Sequence, residues 1–400
     1  MSSGTAAADA WDFRAGRGRR ARTGLARSES GEYGSRVANR RLGSGKQEAV
    51  SQGLMIGILA ALGVAGATGL TGLLTHVARK RMLFDRHNER SAHTEPTPRL
   101  GGLSIVIISL LGYASAVALG LPVEQAIGLI GGGLIVAGVG AADDLRDLRA
   151  SFRLIAHIAA AAWAVYWIGP LDLGFLPFWN PDWNGTAAML TVLVIVWMIN
   201  LYNFMDGING LAASQAISIA VPAVILPIAA GAGPVALAPV ILLAAACLGF
   251  LPWNFPRAKT FMGDASSGFL GFSLAVFIVI ASQADTLVGV GWFVLSGVLI
   301  VDSGVTLLRR LIRGERVHEA HSEHAYQRLA RRARSHVPVT LGAAAVTWLW
   351  LFPFAWCIAA EIIDPILGIC VAIAPLAAIA FGVGAGRRRG LSIDAPVTSA

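Results

Sequence analysis

From Gly53 onward, apolar residues run in blocks of about 17–25 positions, each long enough to carry a helix across a ~30 Å hydrocarbon core. Eleven blocks stand at 53–77, 101–121, 124–142, 152–169, 186–203, 209–230, 234–253, 264–282, 286–308, 338–360 and 363–384. The connections between them are short, and backbone that crosses lipid must satisfy its own hydrogen bonds. The pattern therefore predicts an all-α polytopic membrane protein, about eleven transmembrane helices in one bundle. Three segments follow: a basic, polar, disordered extension over 1–52, a transmembrane domain over 53–384 and a short cytoplasmic tail over 385–400.

Lys and Arg set the orientation, because they are retained on the cytoplasmic side. Ten of the 32 precede residue 50, and the rest fall in 79–100, 143–153, 253–264, 309–337 and 387–389. The connections near 122, 170–185, 231–233, 283–285 and 361–364 carry none. The two sets alternate, as single crossings require, so the basic set and the C-terminus are cytoplasmic. Eleven crossings then leave the basic arm outside. Either the first span is miscounted or the natural start lies downstream, where Met55 is the next methionine. No apolar core with a cleavage site precedes residue 50, which argues against a targeting sequence.

Composition agrees with a bilayer: 55% hydrophobic and 14% charged is far from soluble usage. The net charge of +8 is spread over short loops rather than gathered on one soluble face, which points to anionic lipid or a phosphate substrate and away from nucleic acid. Cys247, Cys357 and Cys370 lie in apolar stretches without metal or redox spacing.

Polar residues that do more than flank helices form five clusters, all at the basic end. The first holds Asn88, Arg90 and His93 before a Pro96-Thr-Pro98 turn and the Gly101–Gly102 pair; its bland reading is a juxtamembrane loop. The second is Asp143–Asp144, an adjacent pair that resists joint ionisation and suits a base or a divalent cation, unless it merely turns the chain. The third runs Asn200-Leu-Tyr-Asn203-Phe-Met-Asp206-Gly-Ile-Asn209-Gly, suited to a nucleotide, phosphate or metal-bound water, or to a polar packing seam. The fourth, Asn254 to Gly268, sets Asp264 beside Gly263 at a helix start near Arg257 and Lys259, a grouping suited to a metal with a phosphate. The fifth spans Arg309 to His336 with His318, His321, His324, Tyr326 and Arg328. His321 and His324 share a face if helical. Zinc competes there, but the acids elsewhere favour a hard cation. Asp302, an acid inside the ninth span, is a further functional candidate.

In this order and on one face, the clusters resemble the polyprenyl-phosphate N-acetylhexosamine-1-phosphate transferases, the glycosyltransferase family 4 group. The resemblance covers about 53–384, and its specific carriers are the Asn203–Gly210 run, Phe261-Met-Gly-Asp264 and His321-Ser-Glu-His324-Ala-Tyr-Gln-Arg328. The third and fifth motifs look most like the branch that initiates O-antigen or similar surface polysaccharides. The resemblance implies a Mg²⁺ enzyme, with Mn²⁺ as the alternative ion. Such an enzyme moves a sugar-1-phosphate from a UDP-N-acetylhexosamine to undecaprenyl or another polyprenyl phosphate at the inner face of a bacterial cell membrane. It allows for a homodimer. Asp143, Asp144 and Asp206 are then the catalytic acids, Asp264 with Asp144 the metal ligands. Asn88, Arg90, His93, Asn200, Asn203, Asn209, Asn254, Lys259, His321, His324 and Arg328 are the substrate-binding set. The family commonly has an acid where Asn209 stands, and an amide cannot act as a carboxylate base. A secondary transporter is the rival reading, although transporters place polar sites near the midplane; a scaffold for a polysaccharide complex is the third.

Overall fold

The computed structural model describes residues 30–82, 97–180, 182–229, 233–315 and 322–388. It is built of helices: α1 (Ser30–Lys80), α2 (Leu103–Ala118), α3 (Val123–Arg146), α4 (Ala150–Ile168), α5 (Asn184–Met205), α6 (Leu211–Ala229) and α7 (Pro234–Asn254). Then follow α8 (Asp264–Ala284), α9 (Thr286–Leu295), α10 (Gly297–Ile312), α11 (Ala325–Ala333), α12 (Val337–Val346), a π-helical turn (Thr347–Leu351), α13 (Phe352–Ala359) and α14 (Pro365–Val383).

Among the described residues, nine helices are long and apolar enough to cross a membrane, the run Val337–Ala359 counting as one. Two of the eleven expected spans differ. The block at 286–308 is broken into α9 and α10, which meet at 66°; Ser296 and Gly297 form the break, a pairing that tolerates a sharp kink. Taken as one bent span, the pair makes ten. The block at 101–121 yields α2, whose 16 residues reach only about 24 Å at 1.5 Å per residue. Helix α1 runs from Ser30 to Lys80, with Gln47–Lys80 as its apolar span, and residues 1–29 lie outside the described ones.

Helix α8 is the axis. Every residue from Ala265 to Val279 is buried, and α2, α3, α5 and α9 pack around it. A helix apolar on all sides must sit inside a bundle or face lipid, and this one sits inside. Its Phe269 and Phe277 enclose Tyr113 of α2.

The connections gather at two ends. At the end without Lys or Arg, Gln283 donates to the carbonyls of Ile168 and Pro170 (3.0 and 2.8 Å), and the Asp172 N–H donates to Ser282 Oγ. At the other end the basic connections interlock. The Phe261 N–H and the Thr260 hydroxyl both donate to the Pro98 carbonyl, which joins the loop before α2 to the loop before α8.

Candidate active site

The contact between α3 and α8 sets the centre of the site. Gly140, one turn before Asp144, lets α3 lie against the start of α8: a Cβ there would stand 2.5 Å from the Ala265 nitrogen. Asp144 then meets the unpaired N–H groups that open α8. Its Oδ1 accepts from Asp264 (3.0 Å) and its Oδ2 from Ala265 (3.3 Å). A carboxylate satisfies those orphan donors and lies at the favourable end of the helix dipole, so Asp144 fixes where Asp264 stands. Gly140→Ala should push the helices apart at a cost of about 1–3 kcal/mol. A lower melting temperature in detergent, with activity falling alongside it, is the expected result.

Asp143 turns the other way. One oxygen accepts from the Leu148 N–H at 2.6 Å, and the other meets Arg153 Nη1 at 2.5 Å. The same nitrogen is 3.6 Å from Asp264 Oδ2, so Arg153 bridges an acid of α3 and an acid of α8. Arg153→Ala leaves Asp143 buried without its cation and should lower stability by about 2 kcal/mol, measurable by thermal unfolding of the purified protein.

Asp206 closes α5, and among the described residues no hydrogen bond or ion pair reaches its carboxylate. The residue as a whole is half-buried. Desolvation of its carboxyl comes first, and the charges of Asp264 and Asp144 next, in holding its pKa well above the usual carboxylate range. Three acids thus lie within electrostatic reach of one another.

The amides of the third and fourth clusters serve mainly as clamps. Asn254 accepts from the Gly210 N–H (2.7 Å) and donates to the Thr260 carbonyl (2.9 Å). Asn209, 5% exposed, donates from its side chain to the Pro256 carbonyl, while its carbonyl accepts from Thr340. The amide at the position where the family commonly has an acid therefore ties two loops together. Asn203 reaches Ser267 of α8 at 3.4 Å. Asn200 donates to the Val196 carbonyl of its own helix and lies 3.5 Å from His157 Nδ1. Lys259 is exposed, its ammonium 5.6 Å from the Trp253 ring centre. Asn88, Arg90, His93 and His321 lie outside the described residues.

The fifth cluster docks on the third. The Tyr326 hydroxyl donates to the Phe204 carbonyl at 2.9 Å, two residues before Asp206, and a side chain at Gly207 would collide with that hydroxyl. Burial, then the acids Asp302 and Asp206, push the Tyr326 phenol up, so it remains a donor. His324 is 1% exposed and its ring stacks on Tyr326. Arg328 donates to the Arg387 carbonyl, and Arg332 to the Val383 carbonyl, so the basic face of α11 caps the end of α14.

The structure therefore brings Asp144, Asp206 and Asp264 together, and sets Asn209, Asn254 and His324 in the frame around them. Arg153 is the residue that reading the sequence missed: a base at a helix start looks like an ordinary cytoplasmic anchor, and its partner lies ten positions back in another helix.

The description "Glycosyl transferase family 4" matches residues 126–282, a span that holds all four acids and Arg153. The chain is 30% identical over 369 residues to a decaprenyl-phosphate N-acetylglucosaminephosphotransferase of Mycolicibacterium smegmatis, covering 80% of this chain and 86% of that one. It is 29% identical over 331 residues to the enzyme of the same name in Mycobacterium leprae, covering 74% and 80%. A probable undecaprenyl-phosphate N-acetylglucosaminyl 1-phosphate transferase of Bacillus subtilis is 29% identical over 272 residues, covering 67% and 75%. Likeness across most of both lengths, with the acid site inside the matched span, places this multi-pass membrane protein among the transferases: it belongs to glycosyl transferase family 4.

Proposed function

We propose that this chain transfers an N-acetylhexosamine-1-phosphate from a UDP-sugar to a polyprenyl phosphate, with Mg²⁺ as cofactor and UMP as the second product. The observation that carries this reading is the meeting of Asp144, Asp206 and Asp264 with Arg153 at the basic end of an apolar bundle. By the distribution of Lys and Arg that end faces the cytoplasm, where nucleotide sugars are made, and the membrane is the bacterial cytoplasmic membrane. The relatives' names specify N-acetylglucosamine, so UDP-N-acetylglucosamine is the first donor to test. The lipid product would begin an O-antigen, another surface polysaccharide or a cell-wall glycan.

The acids suit a hard cation. Among the described residues no three acidic, histidine or cysteine side chains make a ready coordination shell. Mg²⁺ rarely needs one, since it binds through one or two carboxylates and completes its shell with phosphate oxygens and water. Asp264 and Asp206 would hold it, because both Asp144 oxygens accept N–H groups of α8, whereas among the described residues no hydrogen bond or ion pair reaches the Asp206 carboxylate. Bound there, the ion would neutralise the diphosphate and the charge growing on departing UMP.

The chain's own residues do the aligning. Asp144 holds Asp264 at the head of α8, and Asp143 holds Arg153 toward the same point. Arg153 is placed to meet a phosphate oxygen. The acceptor is a phosphate monoester with a second pKa of about 6, so at pH 7 its oxygen is already a nucleophile and needs alignment more than a base. That oxygen attacks the sugar-bearing phosphorus; the bond to the bridging oxygen breaks and UMP leaves with the electron pair. The polyprenyl tail stays in lipid throughout, which is why such a site belongs at the edge of a bilayer.

Purified protein given undecaprenyl phosphate and UDP-N-acetylglucosamine should release UMP only when Mg²⁺ is present, with Mn²⁺ a partial substitute. Folded protein that releases no UMP from any UDP-N-acetylhexosamine would reject the reading and return transport or scaffolding to consideration.

A further inference from the structure

Asp302 is an acid in the middle of α10, 6% exposed, on a buried face that mixes apolar residues with Ser303, Thr306 and Arg310. A carboxylate so placed is costly unless its oxygens are satisfied. They are satisfied by another element. The Ala325 and Tyr326 N–H groups, the first of α11, donate to its two oxygens at 2.8 and 2.9 Å. His324 Nδ1 lies 3.2 Å from the same carboxylate, and Thr306, one turn along α10, adds its hydroxyl at 3.3 Å. Asp302 is thus an N-cap supplied from outside the helix it caps, and it also sets the ring of the residue that leads into that helix.

The cap has a direction. With its start held on Asp302, α11 presents Tyr326 to the Phe204 carbonyl, and the Gln327 amide stands against Gly207. Gln327 Oε1 also accepts from the His324 N–H at 3.2 Å, which fixes the entry turn. Asp302 and the Asp206 turn are therefore linked through two residues of one short helix. Sequence alone marks Asp302 only as an acid among apolar residues, with no hint of its partners 22 to 24 positions on.

We propose that Asp302 is a positioning residue of the transferase site: it anchors the start of α11 so that the Ser322–His324 entry and Tyr326 are held against the Asp206–Gly207 turn. The inference rests on the transferase reading for its catalytic consequence, but the anchor itself is testable without any activity.

The experiment has two arms on full-length protein in detergent. Hydrogen–deuterium exchange reports the anchor: in Asp302→Asn, peptides over 322–333 should exchange at least about tenfold faster, while α8 peptides stay as in wild type. Kinetics report positioning: the KM for the UDP-sugar should rise about tenfold and the KM for polyprenyl phosphate stay within about twofold. Plain loss of folded protein lowers only the apparent kcat, so that split separates positioning from stability. Tyr326→Phe, which cuts the Phe204 tether without touching the membrane helix, should give the same split in milder form. It keeps the idea testable if Asp302→Asn fails to fold.

Unchanged exchange over 322–333 in a folded variant overturns the anchor. Faster exchange with an unchanged donor KM overturns the positioning role. An inactive wild type counts against the transferase reading and leaves the exchange result to judge the anchor alone.

Discussion

Asp264→Asn should lower transfer by about a thousandfold while leaving the melting temperature within a few degrees of wild type. The reason is that the framework holds Asp264 by its backbone. Its N–H, which asparagine keeps, donates to Asp144, and its side chain meets Arg153 at 3.6 Å together with Asn203 and Asp143, polar contacts that an amide can also make. The change therefore removes a charge from the reaction centre without removing a support from the bundle. A variant that unfolds would show that the carboxylate is structural. A folded variant with near-normal turnover would remove Asp264 from the proposed ion site.

Asp206→Asn should lose activity by about a hundredfold or more and yet melt higher than wild type in EDTA. Without a bound ion, the carboxyl is desolvated and faces Asp264 and Asp144, and its pKa is raised well above the unfolded value. A raised folded-state pKa gives stability that is full below the unfolded pKa and is lost as pH rises through the folded one. The stability gain of the asparagine variant should therefore be small in acid, grow as pH rises above the ordinary carboxylate pKa, and level off once pH exceeds the raised one. Melting curves from pH 4 to 9 in EDTA, repeated with Mg²⁺, check this. A gap that does not depend on pH would mean that Asp206 is not strained by its neighbours.

The two residues differ in how far they were legible. Both acids stand out in sequence because carboxylates beside a membrane span need a reason. Asp144 and Asp264 are 120 positions apart, however, and only the close approach at Gly140 shows that one caps the helix that the other begins. The same holds for the amides. Asn209 and Asn254 looked like ligand groups because a polar run invites that reading, yet their partners are backbone groups of loops that converge only in the fold.

The all-α bundle class was legible, because hydropathy is a local signal summed over many residues. The break at Ser296 was not, since no proline marks it and both halves are equally apolar. Position 302 lies between these cases. Its chemistry was visible as an acid in an apolar stretch; its purpose depended on a helix start more than twenty residues away.

In the proposed reaction phosphate travels with the sugar. UDP-N-acetylglucosamine carrying ³²P in the β-phosphate and ¹⁴C in the sugar distinguishes this directly, with purified protein, undecaprenyl phosphate and Mg²⁺. Both labels should enter the lipid phase in equal amounts, with unlabelled UMP left in the aqueous phase. Transfer of ¹⁴C alone, with ³²P remaining in water as UDP, would contradict it.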